Sequence, residues 1–226
     1  VVSLTSFGTV MTSSIVTLGA GSLFFTLILT MLASMVLGMG LPSIPAYIIT
    51  ATMAAPALAG FDIPILSAHM FVFYFGIFAN ITPPVCLAAF AGAGISGGDP
   101  MKTGFLSLKL ALAGFIVPFM FIYSPTMLMI DPTGLAVTAK DFPLPPILDI
   151  ITVVVTSVTG VIALSSALEG YFRGEMNTIT RIILAIGALL LIYPELMTGI
   201  VGGVIVLGIA VFNIKTSAAP TPTVSV

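Results

Sequence analysis

Two polar interruptions in otherwise apolar sequence carry the residues that could do chemistry. The first is Gly38-Met39-Gly40-Leu41-Pro42-Ser43, which separates two apolar runs, and the second is Asn80-Ile81-Thr82-Pro83-Pro84, which lies within an apolar stretch. Because proline lacks an N–H group, each of the paired prolines leaves a carbonyl one turn earlier without its helical partner. In hydrocarbon such carbonyls are tolerated only where protein or a water-filled cavity surrounds them. The second interruption therefore predicts a discontinuous helix at a transport site, with a simple proline kink as the alternative.

Freed carbonyls and hydroxyls are oxygen ligands that suit a sodium ion, whereas the N-termini of half-helices favour an anionic substrate. We therefore predict a substrate and ion site that is formed by Gly38, Gly40, Ser43, Asn80, Thr82, Pro83 and Pro84. Within this set, sodium is expected at Gly40, Ser43 and Thr82. The alternative coupling ion is the proton, which His69 could carry inside the membrane. The other interpretation of His69 is a neutral, hydrogen-bonded structural residue.

The sequence holds no enzymatic constellation. A single histidine excludes a metal site with two histidine ligands, and a single cysteine, Cys86, excludes an internal disulfide or a cysteine-based metal cluster. Neither the nucleophile-elbow pattern GxSxG nor the phosphate-binding pattern GxxxxGK[ST] occurs. We predict a protein that is not an enzyme and needs no cofactor besides its coupling ion. The net charge of −2 also offers no basic surface for nucleic acid.

The composition indicates the kind of element that must position these residues. Of 226 residues, 58% are hydrophobic and 6% are charged, and the mean hydropathy is +1.25. A soluble domain carries about 25% charged residues, so the few charges here could not cover a water-facing surface. The sequence predicts an all-α polytopic membrane protein.

The apolar runs and their polar interruptions divide the chain into seven segments. In order, we predict a leading segment at 1–21 from the interior of a longer chain, a helical hairpin at 22–60, a discontinuous transmembrane helix at 61–98, a transmembrane helix at 99–130, an external loop at 131–146, three C-terminal transmembrane helices at 147–214 and a disordered tail at 215–226. The hairpin is either re-entrant or a pair of crossing helices, because both return the chain to the side it left.

Three smaller patterns add expectations about packing and orientation. The aromatic run, which consists of Phe71, Phe73, Tyr74, Phe75 and Phe78, is expected to face lipid or the protein core, with a substrate cage as the alternative. The spacing of Gly199 and Gly203 predicts a close contact between helices. Counting crossings places five basic residues on one side of the membrane and only Lys140 on the other; the five are Lys102, Lys109, Arg173, Arg181 and Lys215. The side with more basic residues is cytoplasmic, so the hairpin is predicted to enter from outside.

An ordered set of motifs gives the chain a resemblance to a known family. The set comprises Gly38 to Pro42, Ala55 to Leu58, Ala68 to Phe75, Ile81 to Val85, Asp99 to Gly104 and Ala113 to Met120. Together they resemble the large permease subunit of tripartite ATP-independent periplasmic (TRAP) transporters. The most similar type is the fused permease that works with TAXI-type binding proteins, because Leu168 to Tyr171 and the final spans fit that type's extra helices.

The resemblance implies an elevator-type secondary transporter in the cytoplasmic membrane of a bacterium or archaeon. A sodium gradient would drive uptake of a small organic anion, a carboxylate, that a periplasmic TAXI-type binding protein delivers. Such a permease has two inverted halves, each with a re-entrant hairpin and a discontinuous helix. This chain resembles the second half, so its implied partners include an N-terminal half on the same or a separate chain, and membrane lipid. The alternatives are a membrane subunit of an ATPase-driven importer and a structural membrane module without transport.

Overall fold

The computed structural model describes residues 6–130, 144–193 and 196–217. Within these ranges the chain is helical and forms no strand, so the all-α prediction is confirmed. The chain divides into two compact units. The first comprises Val1–Ala111 and Phe115–Leu128, and the second comprises Leu112–Gly114 and Met129–Val226.

The described residues of the first unit form seven α-helices. They are α1 (Phe7–Gly19), α2 (Leu23–Gly38), α3 (Ser43–Met53), α4 (Ile65–Phe78), α5 (Leu87–Ser96), α6 (Pro100–Ala111) and α7 (Val117–Tyr123). Short 3-10 helices follow α3 at Ala55–Phe61, α4 at Ala79–Ile81 and α7 at Pro125–Leu128. Another 3-10 helix, Leu112–Ile116, lies between α6 and α7 in the sequence, and its first three residues belong to the second unit. Helix α1 lies in the leading segment at 1–21, for which the sequence predicted no membrane span; its 13 residues are fewer than the roughly 20 that a span needs.

In the second unit, the part of the chain that the structure describes forms three α-helices, namely α8 (Ile147–Glu169), α9 (Thr178–Ile192) and α10 (Leu196–Ser217). The end of α8 is held by Arg181, whose Nε donates to the Ala167 carbonyl at 2.9 Å and whose Nη2 donates to the Leu168 carbonyl at 2.7 Å. These bonds satisfy carbonyls that the last turn of a helix leaves without partners. Most of the predicted external loop (131–143) and of the predicted tail (218–226) lies outside the described residues.

The glycine contact between α9 and α10 differs from the one that the sequence predicted. A Cβ atom at Gly199 would meet nothing within 4 Å, and one at Gly203 would be in ordinary contact with Leu191 at 3.7 Å. It is Gly202 that lies against the other helix, since its Cβ would be 2.5 Å from the Leu191 nitrogen and 2.7 Å from the Gly187 carbonyl oxygen. The prediction was wrong because a spacing of four residues gives two glycines one face without saying which face meets the neighbour.

Several helices are suited to a membrane. Pro100–Tyr123, with 24 residues, and Ile147–Glu169, with 23, are long and apolar enough to cross one. A third span results if Ser43–Met53 and Ala55–Phe61, which meet at a bend of 44°, are counted together. With the shorter apolar helices, this agrees with a polytopic membrane protein.

The core of the first unit lies where α2, α4 and α7 meet. Leu27, Phe71, Val72 and Phe75 are fully buried there, and the ring of Phe71 contacts that of Phe119 with centroids 5.3 Å apart. Lipid tails are as apolar as these side chains, so close packing rather than escape from water holds such helices together in a membrane. The core thereby fixes α2 and α4, whose ends carry both polar interruptions.

Candidate functional site

The first interruption forms a tight turn between α2 and α3. Helix α2 ends at Gly38, and the Leu41 N–H donates to the Gly38 carbonyl at 3.3 Å. Gly40 has a φ of +73°, a left-handed conformation that glycine adopts without steric cost. Pro42 is extended and precedes Ser43, where α3 begins. We call the turn at residues 39–42 the hairpin tip.

The second interruption breaks the helix between α4 and α5. Helix α4 ends at Phe78, and α5 begins at Leu87. Thr82 folds back onto the end of α4, because its hydroxyl donates to the Phe78 carbonyl at 2.8 Å and its N–H donates to the Ala79 carbonyl at 3.4 Å. The peptide bond between Pro83 and Pro84 is cis. We call residues 79–86 the helix break.

The paired prolines in the break deprive two backbone carbonyls, those of Ala79 and Asn80, of their helical hydrogen-bond donors. Pro83 cannot supply a helical donor to the Ala79 carbonyl, which receives the N–H of Thr82 instead. Pro84 likewise cannot supply one to the Asn80 carbonyl. The Asn80 carbonyl therefore has no helical donor.

The tip and the break touch each other. The side-chain amide of Asn80 donates to the Leu41 carbonyl at 3.4 Å, a long hydrogen bond. On the other side of the break, the Val85 side chain lies 3.6 Å from the position that a Cβ of Gly40 would take. Residues about 40 positions apart in sequence thus meet at one place.

A close backbone contact beneath the tip explains why α2 and α4 can approach so nearly. A Cβ atom at Gly38 would lie 2.3 Å from the carbonyl oxygen of Gly76 and 2.8 Å from its Cα. Only a glycine fits at position 38 without moving one backbone away from the other. The contact holds the end of α2 against the end of α4.

A cavity of about 580 Å³ opens where the tip meets the break, within the usual range for small-molecule sites. Its wall is formed by the tip, the start of α3, the end of α4 and the start of α5, and consists of Gly40, Leu41, Pro42, Ser43, Ile77, Phe78, Asn80, Ile81, Leu87 and Ala88. None of these residues is charged. Ser43 and Asn80 supply the polar side chains.

The structure brings the predicted site residues to one region, but only some of them line the cavity. Gly40, Ser43 and Asn80 line the cavity. Gly38 is buried against Gly76 instead of lining it. Thr82 is buried, does not line the cavity and donates its hydroxyl to the Phe78 carbonyl. The ring of Pro83 packs towards α6 beside Gly104, while Pro84 is exposed in the break.

Sequence reasoning missed most of the apolar wall. The aromatic run was expected to face lipid or the core, and Phe71 and Phe75 are indeed buried in the core. Phe78, the last residue of the run, lines the cavity. Its position two residues before Asn80 was the available signal, since residues next to a helix break share its surroundings.

Four helix ends meet at the cavity and give it electrostatic character without charged side chains. Helices α3 and α5 begin at its wall, at Ser43 and Leu87, and α2 and α4 end beside it. Free N–H groups make a helix start partly positive, and free carbonyls make a helix end partly negative. The arrangement can therefore hold an anion and a cation side by side.

His69 belongs to a different part of the first unit. Its Nδ1 lies 3.0 Å from the hydroxyl of Tyr47, which links α4 to α3, and the residue does not line the cavity. This bond agrees with the structural interpretation of His69. Among the described residues, no three or more His, Cys, Asp or Glu side chains come together as a metal site would require.

Comparison with known proteins identifies the family. Residues 1–133, more than half of the chain, match the family model described as tripartite ATP-independent periplasmic transporter, DctM component. The matched region includes the tip, the break and every residue of the cavity wall. No curated protein and no solved structure matches the chain. The chain belongs to the DctM family and is a multi-pass membrane permease of the TRAP class of secondary transporters.

Proposed function

We propose that this chain forms the substrate and ion site of an importer that uses a sodium gradient to take up small carboxylates. The observation that carries the proposal is the cavity, which opens where a hairpin tip meets a helix break. Membrane transporters place their binding sites at such discontinuous helices, because only there does backbone inside the membrane remain free to bind a solute.

The oxygens of the break and the tip support sodium as the coupling ion. The Asn80 carbonyl has no helical donor, and the hydroxyl oxygen of Ser43 lies in the cavity wall. The Thr82 hydroxyl donates to Phe78, which leaves its oxygen lone pairs free to accept. We propose that these oxygens and the backbone of Gly40 bind Na⁺, a hard cation that needs no carboxylate ligand.

The starts of α3 and α5 support an anionic substrate. Their first turns carry N–H groups without a helical partner, at Ser43 in α3 and at Ala88 in α5, whereas the Leu87 N–H already donates to the Val85 carbonyl at 3.0 Å. A bound sodium ion beside them would add positive charge where a carboxylate sits. Ion and substrate would then strengthen each other's binding, which is the coupling that a symporter needs.

Helix lengths favour a re-entrant hairpin that enters from outside. Helix α2 has 16 residues and is about 24 Å long, whereas the hydrocarbon core is about 30 Å thick. Helix α3 has 11 residues and bends by 44° into its 3-10 continuation. The excess of basic residues on the opposite side supports the outside entry.

The rest of the proposed transporter follows the TRAP resemblance. Sites of inverted-repeat transporters are built from two related halves, and this chain supplies one hairpin and one broken helix. We propose that a first half, on the same or a separate chain, completes the site, and that the site moves in an elevator-type cycle. A periplasmic TAXI-type binding protein would deliver the substrate at a bacterial or archaeal cytoplasmic membrane.

Binding of ²²Na⁺ to the protein purified from its source membranes tests the ion assignment without knowing the substrate. We expect saturable binding that unlabelled Na⁺ displaces and K⁺ does not. In right-side-out vesicles given periplasmic extract, an inward sodium gradient should drive uptake of labelled carboxylates, and a sodium ionophore should abolish it. Uptake that follows a proton gradient, without saturable ²²Na⁺ binding, would contradict sodium coupling.

A matched pair of threonine variants tests whether the sodium ion binds at the break. Thr82→Val removes the hydroxyl, and we expect about a tenfold weaker sodium affinity, whereas Thr82→Ser should keep it. Thr52→Val is the control, because the Thr52 hydroxyl donates to the Ile48 carbonyl at 2.9 Å in the same i to i−4 manner but on an exposed face of α3. An unchanged sodium titration for Thr82→Val would remove Thr82 from the site.

A further inference from the structure

We propose that Phe78 is a specificity-determining residue that makes the cavity select carboxylates with an apolar carbon body over hydroxylated acids and dicarboxylates. The inference rests on the proposed function and adds the substrate class. It follows from how the ring of Phe78 is held and from what surrounds it in the wall.

Two neighbouring rings fix the side chain of Phe78. Tyr74, one turn earlier on α4, stacks on it with centroids 4.6 Å apart and planes at 22°. Phe115 meets it edge to face, with centroids 5.0 Å apart and planes at 86°. Such contacts stabilise one orientation of the ring. Phe78, which lines the cavity, is therefore held in one ring orientation by its neighbours.

The rest of the wall around Phe78 is also apolar. Leu41, Ile77, Ile81 and Leu87 line the cavity with it, and none of them carries a hydrogen-bonding side chain. A hydroxyl group that leaves water for such a wall loses its hydrogen bonds without replacement. A hydrocarbon group in the same place loses nothing and gains contacts. The wall thus penalises each additional hydroxyl on the substrate.

None of the residues that line the cavity is charged, so this half of the site supplies no cationic side chain for a second carboxylate. Ser43 and Asn80 are the polar side chains of the wall, and the Asn80 amide already donates to the Leu41 carbonyl. A second carboxylate would have to lie against the apolar wall without a cationic partner, and burying an unpaired charge is costly. A monocarboxylate places its single charge at the polar part and its body against Phe78.

Three acids with six carbons each test this selectivity. Hexanoate has an apolar body, gluconate carries five hydroxyls on the same length of chain, and adipate adds a second carboxylate. Binding to the protein purified from its source membranes is measured by calorimetry in NaCl and in KCl. We expect hexanoate to bind only in NaCl and at least tenfold more tightly than gluconate or adipate.

Variants of Phe78 connect the selectivity to this wall. Phe78→Gln should reduce the preference for hexanoate over gluconate to threefold or less, and Phe78→Leu should retain most of it. Ile95→Gln is the control, because Ile95 is 91% exposed on α5 and does not line the cavity. Thermal unfolding of each variant in the same buffer shows whether the fold is kept. If Phe78→Gln does not fold, Phe78→Leu is compared with wild type across the three acids instead. We then expect the preference of Phe78→Leu for hexanoate over gluconate to lie between threefold and the wild-type value.

The outcomes separate this inference from the proposed function. Sodium-dependent binding of gluconate or adipate as tight as that of hexanoate would overturn the apolar selectivity and leave sodium-coupled carboxylate binding intact. A preference for hexanoate that Phe78→Gln leaves unchanged would overturn the role of Phe78. Absence of sodium-dependent binding for all three acids would overturn both.

Discussion

The ends of α8 and α4 differ in how their unpaired backbone carbonyls are satisfied. Each helix leaves carbonyls without donors in an apolar protein. At the end of α8, Arg181 reaches the carbonyls of Ala167 and Leu168 with a charged guanidinium. At the end of α4, the Thr82 hydroxyl satisfies Phe78, and the prolines leave the Asn80 carbonyl free.

The contrast shows where the molecule keeps polar backbone available for function. A guanidinium bonded to two carbonyls closes a helix end permanently, because exchanging it would leave a charge unpaired. A neutral hydroxyl and a carbonyl without a helical donor leave no charge unpaired when they bind or release an ion. The second unit is therefore expected to serve stability, and the tip and break of the first unit to serve binding.

The largest expected effect comes from Gly38, beneath the tip. Gly38→Val would place a side chain against the backbone of Gly76, so we expect about 3 kcal/mol of destabilisation and loss of ²²Na⁺ binding. Gly92→Ala on α5, where a Cβ meets nothing within 4 Å, is the matched control and should not reduce stability. Thermal unfolding in detergent measures both. Equal unfolding temperatures for the two variants would contradict the close contact.

Removing the Arg181 guanidinium should destabilise the end of α8 without weakening sodium binding. Arg181→Met loses two hydrogen bonds from a charged donor, which we estimate at about 2 kcal/mol. Because the effect belongs to the end of α8, the affinity for ²²Na⁺ should stay within twofold of wild type. Chemical denaturation and sodium titration on the same preparation test this. A parallel loss of sodium affinity would show that α8 does not serve stability alone.

Replacing Asn80 should have the opposite effect to replacing Arg181, with a small loss of stability and a larger loss of substrate binding. Its hydrogen bond to the Leu41 carbonyl is long at 3.4 Å, so Asn80→Ala should cost about 0.5 kcal/mol of unfolding free energy. The side chain lies in the cavity wall, and its loss should weaken binding of the transported acid several-fold. If Asn80→Ala lowers the free energy of unfolding by more than it lowers the free energy of substrate binding, Asn80 holds the tip against the break and the Gly38 contact does not.

The sequence predicted the fold better than it predicted the cavity wall. The break was predictable because paired prolines in an apolar stretch interrupt a helix whatever surrounds them. The positions of Phe78 and Gly202 were not, because facing a cavity or a neighbouring helix depends on how a helix is rotated. Gly38 shows the limit most clearly, since its turn was expected from local chemistry but its contact with Gly76 arises from packing between α2 and α4.

The most direct test of the account measures access to the cavity. Ala88→Cys places a thiol in the cavity wall without removing a proposed sodium ligand, while the natural Cys86 is fully buried and should give little background. The rate of maleimide labelling is compared in NaCl and KCl, with and without hexanoate, and Ile95→Cys on the exposed face of α5 is the control. We expect Na⁺ with hexanoate to slow labelling at position 88 at least fivefold and to leave position 95 unchanged. Equal rates at position 88 under all conditions would contradict a sodium and substrate site between the tip and the break.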